Sequence, residues 1–518
     1  MKRLRKLVKP RVTRADIMFG FSAAETTHDH QSTLWRGFGK FVMTSFGILF
    51  LPLCLYFWRS APRLLELVMI GAAFSAAAAI VVGGLGVMPA LVPTALFLNV
   101  FLLKLCLGER FPAESTVLAV MLPFIAVVCG AIASSFIMPR LFEGAVMVWP
   151  QKMSGLPALT PLAPNSGNYT QDLYLLANAS LAVAAAIYMT RDGFDPRRLL
   201  NAYFIAGLLV IFVAIWQFAG STLHVWYPTK FFLSNPGWSQ LSDQSMGSLT
   251  RLNGSFSEPS ALGGYLCGTV SAASWMVFNG DKTRLPRVAL VGGLIIIFLC
   301  TSATGYITLG IMTGLLLLRT YIASSPATRR RVLAGTITIT ILSSLAIAIT
   351  PAVAPNVAKQ AVTVFNATAN KQQSSSYDAR TEADRDALRA MVGTDFLGVG
   401  WGSNRSSSLG PGLCAAVGVW GIIGLLGFTA GLYRHVALAH RFADSDARDV
   451  MRGCSAGLLG TLTATLLSGP TIASPDFYLL LAVLVATAAR VRHQARGTSR
   501  PASAVSRARF GIAAPLKG

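Results

Sequence analysis

VLAGTITITILSSLAIAIT (332–350) and GLCAAVGVWGIIGLLGFTAGL (412–432) are two uncharged runs. Each is about the length of the ~20 residues a helix needs to cross a bilayer. Between them lies a polar stretch, 351–411, containing DARTEADRDALRAMVG (378–393) and FLGVGWGSNRSSS (396–408). Apolar span, long polar loop, apolar span is the layout of an all-α, polytopic transmembrane helical bundle with a large external loop. The same alternation recurs along the chain, with candidate spans near 41–58, 64–83, 87–107, 116–137, 171–190, 199–219, 259–278, 286–302, 304–322, 332–350, 412–432, 454–470 and 474–490.

Composition agrees. The 518 residues are 53% hydrophobic and only 13% charged, with a mean hydropathy of +0.55. A soluble domain carries about a quarter charged residues. The net charge of +22 therefore does not point to nucleic acid, because lysine and arginine collect in the tails and the short loops. Residues 1–40 and 491–518 read as basic cytoplasmic tails held near anionic lipid, flanking a bundle over 41–490. The first apolar run begins only near Phe41, so the N-terminal segment does not read as a cleavable signal. The seven cysteines are dispersed, with no paired spacing, and read as small apolar packing residues.

Orientation follows from the basic short loops, which stay on the cytoplasmic side. RDGFDPRR (191–198), NGDKTRLPR (279–287), PATRRR (326–331) and RHVALAHR (434–441) are such loops. The long loops 138–170, 220–258 and 351–411 then face outside. Thirteen spans would leave one basic tail outside, so about 12 spans with both termini cytoplasmic is the consistent count. The surplus lies near the start, where VVGGLGVMP (81–89) or the Pro52 segment breaks a crossing. TSATG (301–305) divides the long apolar stretch 286–322 into two helices.

The external loops are unusual in their arginines. Arg380, Arg385, Arg389 and Arg405 lie in 351–411, and Arg251 ends the second loop in RLNGSFSEPSALGGYL (251–266). Arginine is kept out of short external loops unless it is needed. Its planar fork binds phosphate oxygens bidentately and stays charged, so the expected ligand is a lipid diphosphate. Ser257 and Glu258 can cap the helix that Pro259 opens, and a helix is expected near 377–392. Gly398, Gly400 and Gly402 permit tight turns and close ligand approach. Trp401 can stack on a sugar, and Asn404 and Arg405 offer donors to hydroxyls or phosphate. No external histidine cluster is present, and neither metal nor other cofactor is expected. Ionisable residues at mid-span depth are nearly absent, which weighs against an ion-coupled transporter.

RLNGSFSEPSALGGYL, and FLGVGWGSNRSSS followed by GVWGIIGLLGF (418–428), resemble segments of the O-antigen ligase and Wzy-type polysaccharide polymerase superfamily. The resemblance covers residues 140–490 and implies a GT-C-like glycosyltransferase of the bacterial inner membrane. Its donor would be an undecaprenyl-diphosphate-linked oligosaccharide, its surroundings membrane lipid, and its partners a chain-length regulator and flippase of the same pathway. The polymerase branch carries an Arg-x10-Gly spacing, which Arg389 and Gly400 match and which Arg251 and Gly263 exceed by one residue. Ligases carry a histidine in the large loop, and 351–411 has none; this favours a polymerase over a ligase, with a transporter or flippase of lipid-linked sugars as a further alternative. The roles implied are Glu258 and Arg389 as catalytic groups, with Asp378 and Asp384 as alternative bases. Arg251, Arg380, Arg385, Gly400, Trp401, Asn404 and Arg405 would bind substrate.

Overall fold

The computed structural model describes residues 41–151, 158–237, 245–246, 249–323, 325–353 and 375–498. The two tails, apart from the helix that runs to Thr498, lie outside these residues, as does 354–374 of the large loop. Helices dominate: α1 (Ser45–Tyr56), α2 (Ala61–Ala72), α3 (Leu91–Cys106), α4 (Glu114–Leu141), α5 (Ser166–Tyr188), α6 (Arg197–Leu223), the single turn α7 (Thr229–Phe232), α8 (Pro259–Phe278), α9 (Arg284–Leu299), α10 (Ala303–Ala323), α11 (Pro326–Val353), α12 (Ser375–Val392), α13 (Leu409–His440), α14 (Ser445–Leu467) and α15 (Pro475–Thr498). Six of them, α4, α6, α8, α10, α13 and α14, are long and apolar enough to cross a membrane. The chain is thus a helical protein of the membrane-embedded kind.

The first hundred residues depart from three full crossings. α1 and α2 have 12 residues each, or about 18 Å of helix against a hydrocarbon core of about 30 Å. The stretch 81–89 folds as a hairpin of β2 (Ile80–Val82) and β3 (Leu85–Val87), on which β1 (Phe41–Met43) adds as a third antiparallel strand. Its turn is Gly83–Gly84, both at positive φ, the backbone that a two-residue hairpin turn demands. The Gly-Gly pair therefore ends the apolar run by reversing the chain. The remaining strands are two-residue pairs, Met147–Val148 with Thr160–Pro161 and Ser245–Met246 with Leu249–Thr250.

α8 runs antiparallel to α14 in the tightest contact of the bundle. A Cβ built on Gly264 would rest 3.4 Å from that of Ala464, and one on Gly457 would rest 3.4 Å from that of Ala272. Small residues on both helices allow this approach, and dispersion at short range then holds two helices that gain little hydrophobic free energy within lipid. The register places the start of α8 beside the end of α14. At the other end of the bundle Arg197 bridges Asp281 and Asp446, and Arg198 meets Glu66.

Candidate functional site

The site is built at the end of the bundle where α8 begins. Glu258 is the N-cap residue of α8 in an extended conformation, and its side chain makes no capping hydrogen bond. Ser257 lies one residue before the cap rather than at it. Pro259, which lacks an N–H, removes one donor that a cap would otherwise have to satisfy. The Glu258 carboxylate is thus left to other partners, and Arg380 on α12 lies 3.6 Å from it.

Arg251 reaches the same place from the other side. Its Nε donates to Thr301 Oγ1 at 3.2 Å and its Nη2 to the Thr301 carbonyl at 3.3 Å. Thr301 sits in the break between α9 and α10 at φ 51. That left-handed backbone lets one residue present its carbonyl and its hydroxyl to one guanidinium. The expected division at 301–305 is therefore present, and it carries a ligand for Arg251. Gly263 lets the break close on α8, since a Cβ there would meet Ser302 Cβ at 3.2 Å and Cys300 Sγ at 3.5 Å.

The segment leading to Glu258 is held rigidly. Gln217 Oε1 accepts from the backbone N–H groups of Asn253 (3.0 Å) and Gly254 (2.7 Å). Tyr227 donates its hydroxyl to the Gly254 carbonyl at 3.1 Å. Ser255 Oγ donates to the Ala73 carbonyl at 2.5 Å, which ties the segment to the end of α2.

Arg405 joins from the loop before α13. Its backbone N–H donates to the Trp149 carbonyl at 2.7 Å, while the Trp149 N–H donates to Asn404 Oδ1 at 3.0 Å. Burial lowers the Arg405 guanidinium below the ordinary arginine value, and the nearby Glu258 charge raises it again. Arg251 is likewise lowered by burial, raised by Glu258 and lowered further by Arg380. Arg380 thus pairs with the Glu258 carboxylate, while Arg251 and Arg405, on two other segments, feel its charge. The start of α8 adds its positive helix end.

Other expected residues serve the scaffold. Gly400 has φ 93, and a Cβ there would meet the Ser134 carbonyl oxygen at 2.6 Å, so glycine is required by the fold of the loop. Trp401 packs against the core and its Nε1 donates to the Gln171 carbonyl at 3.3 Å. Asn168 Nδ2 donates to the Trp401 carbonyl (2.7 Å) and to Ser403 Oγ (2.8 Å). Asn404 Nδ2 is buried with no hydrogen-bond partner among the described residues. Asp384, an alternative base, is occupied: it accepts from the N–H groups of Ser407 (2.8 Å) and Ser408 (3.0 Å) and from Ser408 Oγ (2.6 Å). Asp378 is exposed.

Arg385 and Arg389 stand apart from the cluster. At about 100° per residue, Arg389 lies on the face of α12 opposite Arg380. It donates to Asp386 at 2.9 Å with its side chain 76% exposed. Arg385 is exposed on α12. Sequence reasoning did not single out Gln217, Thr301 or Ser468. Ser468 Oγ accepts from Arg380 at 3.1 Å and is the residue that ends α14. Only the TSATG break left a mark in the sequence. The other two act through contacts that no local pattern encodes. Compared with known proteins, the chain matches no family model and no curated sequence.

Proposed function

We propose that the chain is a glycosyltransferase that polymerises lipid-diphosphate-linked oligosaccharide repeat units at the external face of a bacterial inner membrane, within a GT-C-like bundle of about 12 spans. The observation that carries this reading is the Arg380–Glu258 pair, with Arg251 and Arg405 close enough on neighbouring segments to feel the Glu258 charge. Guanidiniums on separate segments suit the two phosphates of one diphosphate. They would stabilise the charge that builds there as the bond to the sugar breaks.

Glu258, not consumed in capping, is placed to take the proton of an acceptor hydroxyl. The hydroxyl oxygen then bonds to the anomeric carbon, and the lipid diphosphate departs with the electron pair of the broken C–O bond. Arg385 and Arg389 would act at a distance from this step, toward the sugar chain or the membrane surface.

The test is incubation of the purified chain with a synthetic undecaprenyl-diphosphate repeat unit, with products resolved by length. A ladder that vanishes in Arg251→Ala and Arg380→Ala, at normal protein level, supports the reading. A ladder that persists in both variants overturns the site. Unchanged substrate with the unmodified chain overturns polymerase activity and directs the assay to acceptor addition or lipid movement.

A further inference from the structure

A second cationic site lies at the opposite end of the bundle. α5 begins beside Ser403 near the Glu258 end and finishes at Tyr188, where a cavity of about 510 Å3 opens. Its walls come from the α1–α2 turn, the end of α3 and the α5–α6 turn, which contribute Arg59, Lys104 and Arg191 respectively. Tyr56, Phe57 and Tyr188 form apolar walls between them. Volumes of roughly 300–1,000 Å3 suit small ligands.

The charges there are arranged for an anion. Lys104 (2.6 Å) and Arg191 (4.0 Å) share one carboxylate, Glu109. Arg191 also lies over the Tyr188 ring at 5.5 Å and donates to its hydroxyl at 3.2 Å. Arg59 is exposed, stacked 4.9 Å from the Trp58 ring. Asp192 is the acid on the cavity wall. Three cations on the cavity wall thus stand against one acid on the wall, Asp192, and one behind it, Glu109.

The surroundings favour a lipid over a soluble ion. Tyr56 on the cavity wall is 80% exposed, and Leu103 and Leu107, at the end of α3 that carries Lys104, are 57% and 78% exposed, as suits side chains facing acyl chains. Tyr56 and Trp58 have the amphipathic rings that gather at membrane interfaces. α1 and α3, with 12 and 16 residues, fall short of the bilayer core, and short segments draw the headgroup layer inward. The basic turn 191–198 marks this end as the one facing the anionic leaflet.

The geometry points to a binding site for the phosphate headgroup of an anionic phospholipid in the cavity between Arg59, Lys104 and Arg191. The site is independent of the chemistry at Glu258. The test is native mass spectrometry of the full chain in detergent, titrated with phosphatidylglycerol or phosphatidylcholine. One phosphatidylglycerol should be retained in preference to phosphatidylcholine, and Arg59→Gln should weaken it about fivefold, the effect of roughly 1 kcal/mol per charge. Arg59→Lys should keep it, and Arg434→Gln, an exposed position outside the cavity, should leave it unchanged. Arg59 is exposed and makes no ion pair among the described residues, so its variants should retain the folded state, and a thermal scan checks this. Equal retention of the two lipids, or equal weakening in Arg434→Gln and Arg59→Gln, would overturn the proposal. Displacement of the lipid by inorganic phosphate alone would overturn it in favour of a soluble-anion site.

Discussion

Arg380 and Glu258 meet at 3.6 Å, although one lies on a helix of the large loop and the other at the first turn of α8. This pair brings two of the long loops together and separates two roles that a single activity assay would merge. Glu258→Gln keeps shape and removes charge. In a polymer-forming assay it should lower kcat about 10²–10⁴-fold, the usual range for a lost general base, with KM little changed. Arg380→Ala should lower kcat and raise KM together, since it loses both binding and stabilisation of the departing diphosphate. Equal effects of both variants on KM alone would remove Glu258 from the chemistry.

Arg251→Ala should lower kcat/KM by about 10²-fold or more, the scale of losing one donor at a developing oxyanion. Arg251→Lys should not rescue it. An ammonium cannot donate to both Thr301 oxygens and still present a fork to a phosphate. Full activity in the lysine variant would show that charge alone suffices there.

Arg389→Ala should be milder, costing less than about tenfold in turnover, because its side chain is exposed and pairs locally with Asp386. A loss as deep as that of Arg251→Ala would relocate the chemistry to the far face of α12.

Asp384→Ala should lower stability by about 2–3 kcal/mol, since it orphans the N–H groups of Ser407 and Ser408. Thermal or denaturant unfolding in detergent reads this directly. An unchanged midpoint would mean that water replaces the carboxylate without cost.

Gly418→Ala should be the most damaging of these changes to folding. Gly418 has φ 60 and ψ −167 inside α13, a region open essentially to glycine and costing other residues about 1–3 kcal/mol. An added Cβ would also strike the Phe396 and Leu397 carbonyls. Expression level and thermal midpoint both report it. A variant as stable as the parent would argue that the kink at Gly418 is not required.

Much of the helix order was legible from hydropathy. The break at 301–305 and the helix expected over 377–392 were also legible, the latter observed as Ser375–Val392. The hairpin at 80–87 was not, because apolar β-strands and apolar helices look alike over so few residues. Candidate residues within 396–408 were visible as a motif, but their division of labour was not. Gly400 and Trp401 hold the loop against α4 and α5, whereas Arg405 is buried within reach of the Glu258 charge. Partners such as Ser468 and Gln217 come from distant parts of the chain, and their pairing is a property of helix packing.

The non-helical residue at 418 has one more consequence. It frees backbone groups of α13 for the loop: Val399 donates to the Ala415 carbonyl at 2.7 Å, and Val419 donates to the Phe396 carbonyl at 3.0 Å. Gly418 divides α13 into two helices, and the second, residues 419–440, is about 33 Å long, close to a hydrocarbon core of about 30 Å. The loop bearing Arg405 is laced to that helix and must follow its tilt. If the chain is the proposed glycosyltransferase, movement of that helix in the bilayer therefore reaches the geometry around Glu258.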